Sequence, residues 1–559
     1  MPPRRVKAQR GVSVSHGGKT LLSLVDPVAQ GERAVEAAPP RDGTLYLCPS
    51  PLFGYGLPRL LERIETGEPD SAVLGVEADR ELLVLSLNED GCSLIPSLLS
   101  KPRFCMMEVP IGAPVKAGAA AGGGEGLERI CGTVRRRWGS RRFRRVEVLR
   151  ISGGWQLYRE HYAALAEALR GFIAADWGNA MTLVKLGRRY AGNFIRNLAL
   201  IPRCPSCAAL SFGRDPVLVL GAGPSLDPFL DSLFPRIREK RPFRILCVDT
   251  ALPNLKARNL RPDLVFALEC QHWNLRDFIG LRGWAVPLAM DLSALPAAAE
   301  VLEGPRYLFF TPWTDLNLFT RLTVFLPETF PPLGSVGLAA AAAALSLTGG
   351  PVILCGIDFS FTLDSYHARS TPGHKEKLRG QNRFKSILNQ AAAGRGLAGL
   401  SKSGQAVLSD GAMRNYRDLF EREFAGRPRL WDIWGSGLPL GLPTLQAEEA
   451  ALLLNSGSGG GSSPPAGAGY DAAKARRLRE FIQNERGALT TLREILRGEQ
   501  GAGELEGLLD YCDYLWAHFP ECAATGGRRP PATDISFLKR VRTEIDPFIK
   551  LLDLSLKEC

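Results

Sequence analysis

Residues 216–227 read PVLVLGAGPSLD, and this stretch decides the fold. The run Val217–Leu220 is continuously apolar, as a strand buried on both faces of a parallel sheet must be. Gly221 and Gly223 follow, then Pro224, Ser225 and an Asp227-Pro228 pair suited to opening a helix. Strand, glycine turn and helix start together form an anion cradle. Glycines let backbone N–H groups approach a ligand, and a helix N-terminus carries partial positive charge. By itself the motif serves either a phosphate site or a plain turn.

Working outward, the same phrase repeats. Apolar strands are predicted at 244–248, ended by Asp249, at 264–268, ended by Glu269, at 285–290, at 307–311 and at 352–355, before Gly356-Ile-Asp358. Helical segments lie between them, including an Ala-rich one opened by Gly334-Ser335-Val336. Such alternation predicts a doubly wound, mostly parallel sheet over residues 214–450, with ligands beyond the carboxyl ends of the strands. Gly221, Asp249, Glu269 and Asp358 all fall on that edge, which points to a nucleotide site. In this reading the amides of Gly221, Gly223 and Ser225, shaped by Pro224, and the Ser225 hydroxyl hold phosphate oxygens, while Asp249 meets ribose hydroxyls. Gly334 and Ser335 offer either a second anion position or an ordinary capped helix start. The segment 356–383 adds Asp358, Tyr366, His367, Lys375 and Arg383. Carboxylate, imidazole and cations in one loop are the ingredients of acid–base work beside a phosphate leaving group. Walker A, Asp-x-Asp and His-Glu-x-x-His patterns are missing from the sequence.

At 559 residues the chain is long enough for about three domains, and 45% hydrophobic with 23% charged residues marks it as globular. A smaller Rossmann-like α/β module is expected over residues 1–101, with strands at 45–48 and 72–76, the second closed by Glu77. Prolines in its glycine turn make it a structural rather than a ligand-binding domain. Residues 102–153 read as an irregular insertion, with an Ala/Gly run at 117–126 and seven arginines within 135–145. A helical connector at 154–213, a Gly/Ser/Pro linker at 451–470 and a charged helical tail at 471–559 complete the layout. The net charge of +11 favours anionic partners, but no nucleic-acid module surrounds the arginines. Twelve scattered cysteines suit free thiols in a reducing compartment, with a lone Cys204-Pro-Ser-Cys207 and no metal-ligand set. The charge-free stretch 331–357 is split by Gly349-Gly-Pro351 and reads as a helix and a strand rather than a membrane span. No signal peptide is apparent at the start, so the cytoplasm is the expected location.

Gly221-Ala-Gly-Pro-Ser-Leu226, Val248-Asp-Thr-Ala251, Arg261-Pro-Asp263, Gly334-Ser-Val336, Gly356-Ile-Asp-Phe359 and His367-Ala368 resemble, in order and spacing, the MptE-like superfamily. This superfamily includes the motility-associated-factor (Maf) flagellin glycosyltransferases and the archaeal 6-hydroxymethylpterin diphosphokinases. Leu22-Ser-Leu-Val-Asp-Pro27 and the stretches 416–423 and 433–441 extend the likeness to residues 12–450 and bring it closest to the Maf branch. The resemblance implies a sialyltransferase-like central domain that moves a nonulosonic acid from a CMP-activated donor to Ser or Thr of flagellin. On that pattern Gly221, Gly223, Pro224, Ser225, Gly334 and Ser335 hold CMP. Asp249, Glu269 and Asp358 contact ribose, sugar or acceptor, and His367 is the base, with Tyr366, Lys375 or Arg383 neutralising the leaving phosphate. The partners implied are the sugar nucleotide and flagellin, with no nucleic acid, no membrane span, no metal and no tightly bound cofactor. Two alternatives stay open: an ATP- and Mg2+-dependent pterin diphosphokinase, and a non-catalytic nucleotide-binding protein of flagellar assembly.

Overall fold

Buried apolar runs build one parallel sheet in each of the two units into which the chain divides, residues 1–182 with 520–528, and residues 183–519 with 529–559. The computed structural model describes residues 2–88, 91–110, 125–233, 236, 241–388, 396–457, 469–498, 502–525 and 527–559.

In the first unit, β1 (Arg4–Lys7), β2 (Val12–His16) and β3 (Lys19–Thr20) form a small antiparallel sheet. The core sheet consists of β4 (Thr44–Pro49), β5 (Ala72–Glu77), β6 (Phe104–Glu108) and β7 (Arg145–Val148), parallel throughout in the order β6-β5-β4-β7. β6 and β7 correct the expectation that 102–153 is an irregular insertion. They and the helix Glu125–Arg137 belong to the core, with Ile130, Val134, Trp138 and Phe143 buried in it. The Ala/Gly run lies mostly outside the described residues. The arginine cluster is also structural. Arg135 pairs with Asp176 at 3.0 Å, Arg142 with Asp70 at 2.9 Å, and Arg141 donates to the Ala523 carbonyl. Alternating short buried aromatics with arginines lets the aromatics anchor the chain while the guanidinium groups tie its rim. Glu77, at the end of β5, is fully buried and accepts from the Ser50 hydroxyl at 2.7 Å, the Tyr162 hydroxyl at 3.0 Å and the Ala78 amide at 3.0 Å. Its oxygens are used by the fold, in keeping with a structural module.

The second unit holds β8 (Val217–Leu220), β9 (Arg244–Val248), β10 (Leu264–Ala267), β11 (Leu288–Asp291), β12 (Arg306–Phe309), β13 (Val352–Cys355), the hairpin β14 (Leu397–Leu400) and β15 (Ala406–Ser409), then β16 (Leu430–Ile433) and β17 (Thr444–Leu445). Eight of these strands form one parallel sheet in the order β12-β11-β10-β9-β8-β13-β16-β17. The order reverses between β8 and β13, the topological switch point of a doubly wound sheet. The Ala-rich helix Val336–Leu347 packs across β8, β9, β10 and β13, where its small residues permit close approach. Among the described residues no helix is long and apolar enough to cross a membrane.

The helical connector and the C-terminal helices take definite form here. The connector is a single long helix, Arg159–Asn197, because its apolar residues keep helical spacing without a break. The final helices are not a separate tail. Ala472–Arg497 and Ile535–Glu558 pair with each other through Arg486–Asp553 at 2.7 Å and Arg493–Asp546 at 3.0 Å. Glu485, 1% exposed, binds Arg321 of the central domain at 2.9 Å, and Asp513 accepts from the Asn317 amide. The charge pattern that reads as a solvated tail is in part a set of fixed ion pairs. Most of the Gly/Ser/Pro linker lies outside the described residues.

Candidate active site

The loops after β8 and β13 meet at the switch point, and their amides are already spent. Gly221 donates its N–H to the Cys355 carbonyl at 2.7 Å, and Gly223 donates to the Gly356 carbonyl at 2.8 Å. Ser225 donates its N–H to Asp358 at 2.7 Å and its hydroxyl to the same carboxylate at 2.6 Å. Glycine is required because a Cβ on Gly221 would sit 2.3 Å from the Gly356 oxygen, and Gly356 itself has φ +75°. At Gly221, Gly223 and Ser225, expected with Pro224 to cradle phosphate, two backbones make the close approach. Asp358, 2% exposed, is the clamp on that contact rather than a group facing solvent. Behind it Lys402 and Asp432 form a buried ion pair at 2.7 Å.

An open cavity of about 650 Å³ lies further along the same edge, over the carboxyl ends of β9 to β12 and the start of the Ala-rich helix. Asp249, Glu269 and Gly334 line it as the strand-end argument requires. Ser335 caps the helix instead, accepting from the Gly337 amide at 3.3 Å. Beside these residues the structure brings in a set that the sequence did not single out, from the segment after β10: Trp273, Asn274, Arg276 and Asp277. Their signal was a polar, Trp-containing run just past a strand end, without glycines to mark it. Tyr190 and Trp313, with ring centroids 5.7 Å apart, form another wall.

The floor is rich in hydrogen-bond acceptors. Asn274 Nδ2 donates to Asp249 Oδ2 at 2.9 Å and reaches Asp277 Oδ2 at 3.3 Å. The Thr250 hydroxyl lies 3.3 Å from both Asp249 Oδ1 and Asp277 Oδ2. The single Thr250 hydroxyl hydrogen is shared between two carboxylates, an arrangement that favours a proton on the pair. Burial raises Asp249 to about 6; burial and then the Asp249 charge raise Asp277 to about 7. Asn274 is 4% exposed, and its Oδ1 has no hydrogen-bond partner. A buried amide oxygen left this way lacks the donor that such groups ordinarily find. The lining carries four carboxylates, Asp249, Glu269, Asp277 and Glu376, and a single guanidinium, Arg276, which pairs with Glu376 at 2.8 Å. Near Glu269, burial and then the Glu269 charge raise the Tyr416 hydroxyl and bring the Cys270 thiol up to about 12.

Tyr366, His367, Lys375 and Arg383 do not line this cavity, to which their segment contributes Glu376. His367 is half-buried, makes a hydrogen bond with the Ala222 backbone, and packs so tightly on Gly373 that a Cβ there would come within 2.7 Å of its ring; burial lowers its pKa. Tyr366 packs at a tilt against Phe361 and carries the Lys377 ammonium 3.9 Å above its ring. Lys375 and Arg383 are exposed. The chemistry expected of one loop is thus divided, with His367 and Tyr366 bracing the chain beside Ala222 and the titrating carboxyl pair at the cavity. Among the described residues no group of three His, Cys, Asp or Glu side chains is placed to hold a metal ion.

Residues 192–364 match the MptE-like family model, described as 6-hydroxymethylpterin diphosphokinase MptE-like. That span covers β8 to β13 and every residue of the cavity floor, and ends before His367. Over 580 aligned residues the chain is 29% identical to an uncharacterized protein of Treponema pallidum (strain Nichols), covering 99% of this chain and 95% of the relative. The structure of a Maf glycosyltransferase from Magnetospirillum magneticum AMB-1 matches all of this chain and 92% of its own, with TM-score 0.55 and 16% identity. The MptE-like and Maf resemblance carried by the motifs is borne out, as is the multi-domain α/β fold; at that identity the likeness to the solved structure speaks for the fold alone.

Proposed function

We propose that the chain is a glycosyltransferase that moves a nonulosonic, sialic-acid-like sugar from a CMP-activated donor to a Ser or Thr hydroxyl of a protein acceptor, flagellin being the acceptor the Maf resemblance implies. The observation that carries this reading is the acceptor-rich floor around the unpartnered Asn274 Oδ1. Hydroxyl-bearing ligands, ribose and sugar, supply the donors that such a floor lacks, and about 650 Å³ is a normal size for a small-ligand site. Trp273, 69% exposed at the cavity wall, offers a stacking face for the base. Arg276, by exchanging its exposed pair with Glu376, is the lining cation for the single phosphate of a CMP-sugar, and a strongly anionic triphosphate suits four carboxylates less well.

In the transfer step the acceptor oxygen forms a bond to the anomeric carbon as the bond from that carbon to the phosphate oxygen breaks. The hydroxyl proton passes to the Asp249–Asp277 pair, and CMP departs. A carboxyl raised towards neutrality by burial and a like-charged neighbour suits a general base at physiological pH. The reading is tested by incubating the purified chain with flagellin and CMP-activated nonulosonate and weighing the flagellin by mass spectrometry. A gain of one sugar residue and release of CMP are expected; unchanged flagellin together with no CMP binding by calorimetry removes the proposal. The matched family model favours one other reading, diphosphate transfer from ATP to a hydroxymethylpterin with Mg2+, and AMP release on adding that pair of substrates would select it.

A further inference from the structure

A second cavity, about 570 Å³, lies between the C-terminal half of the Arg159–Asn197 helix and the helix Ile535–Glu558. Residues 183–197 carry Lys185, Arg188, Arg189 and Arg196 and no acidic residue. All four acids of the facing helix are committed: Glu544 to Arg188, Asp546 to Arg493, Asp553 to Arg486 and Glu558 to Arg196. Lys185, Arg189 and Lys550 therefore converge on the cavity with no ion pair among the described residues, while Pro547, Phe548 and Leu551 supply apolar wall. Like charges gathered around a concave surface repel one another and focus the field on an incoming anion.

The lining positions 185, 188, 189, 192, 193 and 196 fall on one helical face. From Lys185 to Arg196 that face runs for about 16 Å, at about 1.5 Å per residue. About five residues of extended polypeptide cover the same length. A line of cations beside an apolar wall matches an extended chain with acidic side chains better than a point anion. The groove also shares a wall with the first cavity. Asn193 lines it and donates to the carbonyls of Cys270 at 3.0 Å and Ser293 at 3.1 Å, two residues that line the other cavity, and Tyr190 lines that cavity from the same helical turn.

We propose that this groove docks an extended acidic segment of the acceptor polypeptide, an assignment that rests on the glycosyltransferase reading for the identity of the polypeptide. The test uses the full chain, without donor, and a fluorescein-labelled peptide of sequence Ser-Asp-Glu-Leu-Asp-Glu-Ser followed by fluorescence anisotropy. Binding is expected to weaken as salt rises, and to fall at least about tenfold in the variant carrying Arg189→Glu and Lys550→Glu. Both positions are exposed, and retained CMP binding with an unchanged circular dichroism spectrum shows that this variant is folded. Equal affinity of the double variant and the wild type overturns the proposal. So does equal affinity for the peptide with Asn and Gln in place of its acids, or displacement of the peptide by millimolar inorganic phosphate, which would make the groove a free-anion site. Because no transfer is read, a chain that binds the peptide yet leaves flagellin unchanged and binds no CMP removes the glycosyltransferase reading and leaves the groove standing.

Discussion

Ser225 and Asp358, 133 residues apart, are joined by two short hydrogen bonds, with the amide and the hydroxyl of the serine both donating to one buried carboxylate. The same hydroxyl oxygen accepts from the Gly356 amide at 3.1 Å. This joint closes the switch point between β8 and β13, where a doubly wound sheet would ordinarily open a ligand crevice. The open cavity lies instead over the neighbouring strands β9 to β12.

Asp358→Ala leaves the Ser225 amide buried without an acceptor and removes two charge-assisted bonds, at a cost of about 3 kcal/mol. The expected result is a lower urea midpoint, with CMP affinity of the folded fraction kept within a few fold. A variant of unchanged midpoint that has lost all turnover would put Asp358 in the chemistry instead.

Lys402→Met removes one member of a buried ion pair in which both side chains are under 4% exposed, and strands Asp432 near Asp358. A loss of about 3–5 kcal/mol is expected. Adding Asp432→Leu should recover part of it, and thermal unfolding of the two variants checks the order.

For Asp277, the folded carboxyl titrates near 7 and an unfolded one near 4, so between those values the folded state holds a proton that the unfolded state has released. Its contribution to stability is therefore full below about 4 and is lost as pH rises to about 7. Asp277→Asn cannot ionise, and its stability relative to wild type should rise across that window by about 2–4 kcal/mol. Urea titrations at a series of pH values measure this. In the same variant turnover should lose its rise with pH through about 7.

Trp273→Ala removes an exposed ring from the cavity wall. Base stacking on an aromatic ring contributes about 1–3 kcal/mol, so CMP affinity by calorimetry should fall about tenfold or more while the unfolding midpoint stays in place. Unchanged affinity would place the base elsewhere.

Most of the central sheet was legible in the sequence. Unbroken apolar runs such as Val217–Leu220 and Val352–Cys355 suit a parallel sheet buried on both faces, and acids at the strand ends put Asp249 and Glu269 on the carboxyl edge, where both line the open cavity. The same local logic misread 102–153, where arginines and a low-complexity run masked two short core strands. Only the tertiary structure decided what the glycine turn does. Whether an N–H faces a ligand or a carbonyl depends on a partner more than a hundred residues away, and spacing along the chain carries no record of it. Asn274 and Asp277 were hidden for the same reason: their chemistry comes from sharing hydrogens with Asp249 and Thr250, a property of burial and contact that neither residue has alone.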